Sequence, residues 1–167
     1  MRKTKKENKA LCEKYPFLTP SNRWSGKRIT EGKGFWPKEP ESIPEYDWEY
    51  TELDEMPDGW RIAFGEQMCE ELKTELERIG FLYDYRIVQI KEKYGCLRWY
   101  DNGISREGHK IIGKYEEISK GICICCGKPA TRITLGWISP FCDDCVPEDE
   151  RTVPIEKYYS KDNEDPI

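Results

Sequence analysis

The chain reads as an α+β protein in which a small antiparallel sheet packs against one or two helices and a four-cysteine zinc ribbon or treble-clef-like hairpin closes the fold. Three observations lead there. A helical apolar stripe follows Pro57-Asp58-Gly59, a glycine-centred hairpin occupies residues 84–100, and two Cys-x-x-Cys pairs stand fifteen residues apart. With 167 residues, 37% hydrophobic and 35% charged, the chain has room for one modest core and for segments that lie outside it. Four stretches follow: an extended basic arm over 1–44, an α+β core over 45–121, a zinc-binding module over 122–146 and an acidic tail over 147–167.

The arm carries eleven Lys or Arg against four Glu in residues 1–40, whereas residues 41–58 hold eight acids and no base. Lacking sustained apolar periodicity, the arm reads as extended, anchored by Phe17, Leu18, Trp24, Phe35 and Trp36. In EYDWEY, residues 45–50, Glu45, Asp47 and Glu49 alternate with Tyr46, Trp48 and Tyr50. On a strand that places acids on one face and aromatics on the other. Such a strand is either an edge protected by its charges or an acidic face for a partner that binds nucleic acid.

The first helix is expected from Asp58, as its cap, to about Ile79 before Gly80, with Phe64, Met68, Leu72, Leu76 and Ile79 on one stripe and Cys69 buried beside it. Residues 84–100 then form a hairpin around Lys93-Tyr94-Gly95, with Val88, Ile90, Leu97 and Trp99 sharing a face. A second helix fits 105–119, capped by Ser105, with Ile111, Ile112, Tyr115 and Ile118 inward. Beyond Val146 the tail is polar, with a short docked piece around Val153-Pro154-Ile155.

Cys123 with Cys126 and Cys142 with Cys145 have the spacing of a four-cysteine zinc site. Gly127 lets the backbone turn around the metal so that amides face thiolate sulfur. Cys125 is a neighbour rather than a ligand, and Cys12, Cys69 and Cys96 have no partner at metal spacing. Four thiolates leave no open position, so the zinc is expected to be structural. Lys128, Arg132 and Trp137 on the intervening hairpin either contact a phosphate backbone and a base or form ordinary surface.

A catalytic constellation is not legible. The sole histidine, His109, lies in the second helix without a His-x-Glu pattern, and no phosphate loop, His-Glu-x-x-His or Gly-x-Ser-x-Gly motif occurs. The expectation is a protein that is not an enzyme. No window approaches the roughly 18 apolar residues of a membrane helix and no signal-peptide core follows the basic start, so a cytoplasmic location is expected.

The blocks YPFLTPSNRWSGK, YTELDEMPDGW, AFGEQMCEEL, YRIVQIKEKYGCLRWYDNG and CICCGKPATRITLGWISPFCDDC cover most of residues 11–145. In them the chain resembles small uncharacterised zinc-binding proteins carried by bacterial phages and mobile elements. The resemblance implies an accessory protein in a bacterial host cell and brings no activity with it. Its first implied role is binding a host or phage protein, as an anti-CRISPR-like inhibitor of bacterial defence would, through Glu45, Asp47 and Glu49. The second is a DNA- or RNA-binding accessory or regulatory protein that uses the basic arm and the zinc hairpin.

Overall fold

The computed structural model describes residues 3–21 and 48–160. The anchors Trp24, Phe35 and Trp36 lie outside the described residues. Helix α1 (Lys5–Lys14) opens on a capping box in which Thr4 and Glu7 satisfy each other's backbone amides. An extended arm was the expectation here, and the difference has a clear source. Asn8, Leu11, Cys12 and Tyr15 recur at helical spacing and are all buried. The polar Asn8 hides the stripe from a hydropathy reading, yet its side-chain amide donates to the Trp48 carbonyl at 2.8 Å. Phe17 and Leu18, in a 3-10 turn over Pro16–Leu18, enter the core, where Phe17 meets Tyr85 edge to face at 5.5 Å.

Residues 48–50 are not a strand. Trp48 takes φ 62°, a left-handed conformation rare outside glycine, and packs half-buried against the core. After a 3-10 turn at Glu52–Glu55 come α2 (Asp58–Trp60), a π-helical turn Arg61–Gly65 and α3 (Glu66–Arg78), joined without a break in helical backbone. Pro57, not Asp58, occupies the cap position; Asp58 is the first helical residue and pairs with Arg61, whose guanidinium also holds Asp54 at 2.6 Å. Phe64, Met68, Cys69, Leu72 and Leu76 are buried as the stripe requires. Ile79 falls on the helix cap and is exposed instead. Gly80, at φ 69°, ends the helix in a Schellman turn, with Phe81 N–H donating to the Leu76 carbonyl at 2.8 Å.

Strands β1 (Ile87–Lys93) and β2 (Cys96–Asp101) pair antiparallel through a two-residue turn in which Tyr94 and Gly95 both have positive φ. A bulge between Ile87 and Gln89 shifts the alternation, so Ile87 rather than Val88 joins Ile90, Leu97 and Trp99 in the core. Helix α4 (Arg106–Ser119) is capped by Ser105, whose hydroxyl accepts from Gly108 N–H at 3.0 Å. It packs on β2 and α3, burying Ile112 and Tyr115, the latter stacked on Phe64 at 5.3 Å. Ile111 is half-buried. Ile118 is exposed, and its neighbour Ser119 turns inward to accept from the buried Leu97 N–H at 2.8 Å.

The second sheet has the order β4-β3-β5, from β3 (Arg132–Thr134), β4 (Pro140–Phe141) and β5 (Thr152–Pro154), all antiparallel. Val153 pairs with Ile133, and α5 (Ile155–Ser160) follows directly. The tail therefore supplies a strand to the cysteine hairpin.

Candidate metal centre

Each cysteine pair sits on a tight turn built by backbone hydrogen bonds. In the first, Ile122 and Pro129 form a bridge, Cys123 N–H donates to Lys128 O at 2.8 Å, and Gly127 N–H returns to Cys123 O at 3.0 Å. Gly127 makes that return at φ 80°, where a side chain would be strained. In the second, the amides of Cys145 and Val146 both donate to Cys142 O at 3.1 Å. Ile124 N–H to Pro140 O and Thr131 N–H to Phe141 O, each 2.9 Å, clamp the turns together.

The result is a cluster of four thiols, Cys123, Cys126, Cys142 and Cys145, whose sulfurs lie within 4.8 Å of one another. Cys126 and Cys142 approach to 3.6 Å, and a tetrahedral ion with metal–sulfur bonds of about 2.3 Å needs sulfur–sulfur separations of about 3.8 Å. The cluster can therefore hold a metal ion. Cys125 is exposed outside it, and Cys12, Cys69 and Cys96 are buried elsewhere; all eight cysteines are free of disulfides.

The electrostatics suit a cation. Burial pushes the Cys123 thiol up, but the backbone amides of Cys126, Cys142 and Cys125 outweigh it and bring the group down to about 7. Burial and the neighbouring Cys126 thiol raise Cys142, and hydrogen bonds with Cys126 and Cys142 raise Cys145. Four thiolates this close repel one another unless a divalent charge sits among them.

The cluster is docked on the helical core. Trp60 Nε1 donates to Ile122 O at 3.0 Å and Gly59 N–H to Ile124 O at 2.9 Å. A Cβ on Gly59 would lie 2.1 Å from Cys123 O, so only glycine permits the approach. Neither residue stands out in the sequence as part of the site, because nothing local marks a helical glycine as a contact for a turn more than sixty positions away.

The sequence-derived contact residues fare unevenly. Lys128 pairs with Asp144 at 2.9 Å and Arg132 with Asp143 at 3.0 Å, the two acids between the second pair of cysteines. Trp137 is 74% exposed, with its indole N–H donating to Glu92 at 3.1 Å. Glu49 pairs with Lys5 at 3.1 Å, and Glu45 and Asp47 lie outside the described residues. His109 is exposed on α4 and is not part of the thiol cluster; its Nδ1 lies 3.1 Å from Ser105 O. No helix among the described residues is long and apolar enough to cross a membrane.

Comparisons with family models, with curated proteins and with solved structures find no match to this chain.

Proposed function

We propose that the chain is a zinc-stapled binding module whose partner is a protein, with the contact surface at the tips of its two hairpins. The observation that carries this reading is how the hairpin uses its charges. Lys128 and Arg132 are engaged by Asp144 and Asp143, while Trp137, Tyr94 and Leu135 stand exposed. Phosphate binding needs cations available to neutralise phosphates and so release the counterions condensed on the nucleic acid, whereas protein interfaces centre on aromatic anchors.

Zinc is the metal that an all-thiolate tetrahedral set favours, and four ligands leave it a structural role. Two backbone turns and the β4-β3-β5 sheet favour a ribbon over a treble clef, since Cys142 and Cys145 precede a strand rather than opening a helix. The resemblance to proteins of phages and mobile elements makes a host or phage protein in the bacterial cytoplasm the expected target, including components of antiviral defence.

The test is native mass spectrometry with metal analysis of the purified chain, before and after addition of host lysate at low and high salt. One zinc per chain and a captured protein that persists at high salt support the reading. A metal-free chain, or capture of nucleic acid alone with binding lost at high salt, overturns it.

A further inference from the structure

Among the described residues five tyrosine rings carry a lysine of this chain over them: Tyr15, Tyr94, Tyr100, Tyr115 and Tyr159, at 4.5 to 6.0 Å. Trp137 is a better acceptor of a cation by ring type and, at 74%, is at least as exposed as Tyr94 at 70% and far more exposed than the other four. No cation of the described residues lies over it. Its place is nevertheless held: Glu92 accepts the indole N–H through one carboxylate oxygen and Gly95 N–H, at 2.6 Å, through the other. One glutamate thus ties both hairpin turns, which abut where a Cβ on Gly95 would lie 3.4 Å from Ile138. The hydrogen bond to Glu92 favours one orientation of the indole before binding.

Acids surround it. Glu92 holds its edge, and Glu150 places Oε2 within 3.3 Å of a Cβ position on Gly136, the residue before Trp137. Glu150 is exposed and makes no ion pair among the described residues. A cation placed here gains both the ring quadrupole and the carboxylates, neither of which favours a phosphate.

The geometry points to Trp137, flanked by Glu92 and Glu150, as the receiving site for an arginine side chain in a basic segment of the partner protein. A guanidinium stacks flat on an indole and can direct its fork of donors at a carboxylate in the same plane, which an ammonium does less well. This rests on the protein-binding reading above and names the chemistry of the partner.

The experiment uses the full zinc-loaded chain and a fluorescein-labelled nine-residue arginine peptide, read by fluorescence anisotropy, with a citrulline peptide and a single-stranded oligonucleotide as comparisons. Trp137→Ala changes no charge and is expected to weaken the arginine peptide about five- to thirtyfold, with Trp137→Phe in between and the citrulline peptide not bound. The indole N–H resonance missing in Trp137→Ala is expected to shift as the peptide is added to the parent chain. Glu150→Gln, which leaves the ring in place, is expected to weaken binding as well and keeps the test open if removal of the tryptophan perturbs folding. Equal affinity for the parent chain and Trp137→Ala would reduce the attraction to net charge and overturn the inference, as would tighter binding of the oligonucleotide. A protein captured from lysate and retained undiminished by Trp137→Ala and Glu150→Gln would also overturn it while leaving the protein-binding reading intact.

Discussion

Gly59→Ala sets two physical effects against each other. In an exposed helix the change stabilises by about 1 kcal/mol, because alanine loses less backbone entropy than glycine. At Gly59 the new Cβ would fall 2.1 Å from Cys123 O and 2.6 Å from the Ile124 carbonyl carbon, both backbone atoms of the turn that carries Cys123 of the thiol cluster. To reach ordinary contact the turn must withdraw by more than an ångström, which breaks the Gly59 N–H to Ile124 O bond and stretches Trp60 Nε1 to Ile122 O. Each bond contributes about 1 kcal/mol and overpacking of this kind costs about 1–3 kcal/mol. After the propensity gain is subtracted, a net loss of about 2–4 kcal/mol is expected. Urea unfolding of the metal-loaded protein should show it as a fall of roughly 1–2 M in midpoint at unchanged slope. Gly113→Ala, on α4 with nothing within 4 Å of its Cβ position, is the control and should stabilise by up to about 1 kcal/mol. A Gly59→Ala protein as stable as its parent would refute the claim that the cysteine turn is seated on the start of the helix.

Further perturbations probe other parts of the structure. Cys126→Ser is expected to abolish stoichiometric zinc and lower the melting temperature, whereas Cys125→Ser leaves both unchanged because that thiol is outside the cluster; metal analysis with thermal unfolding distinguishes them. Ser119→Ala leaves the buried Leu97 N–H without its acceptor and should cost about 1–3 kcal/mol in denaturant unfolding. Hydrogen bonds from Arg78 and Ser105 hold the Glu75 carboxyl down at about 2, against an ordinary 4.5. The unfolded chain therefore binds the proton first, so this contribution is complete above pH 4.5 and is lost as pH falls toward 2. Glu75→Gln should flatten the acid limb of stability across that window, and an unchanged slope would remove Glu75 from the account.

Periodic and punctuated features are legible without coordinates. The stripe Phe64, Met68, Leu72 and Leu76, the Tyr94-Gly95 turn, the Ser105 cap and each of the two Cys-x-x-Cys pairs depend on neighbours within a few positions, and all appear where the sequence places them. The misread elements depend on something distant. Asn8 gives α1 a buried face only because the Trp48 carbonyl is there to receive its amide. Ile87 displaces Val88 only because β1 bulges against β2. Likewise Lys128 and Arg132 look available until Asp144 and Asp143 fold back on them.

By itself, then, the sequence determined the local elements and the identity of the four thiols, since both follow from residue type and short spacing. Tertiary structure alone decided that the cysteine turn rests on Gly59 and Trp60, and that the tail strand Thr152–Pro154 completes the second sheet. It also decided that Glu92 on the first hairpin holds Trp137 on the second. These are contacts between residues roughly twenty to sixty-five positions apart. Their partners are chosen by steric fit and by which hydrogen-bonding groups remain unsatisfied once each element has formed, and neither condition is written in any local stretch of chain.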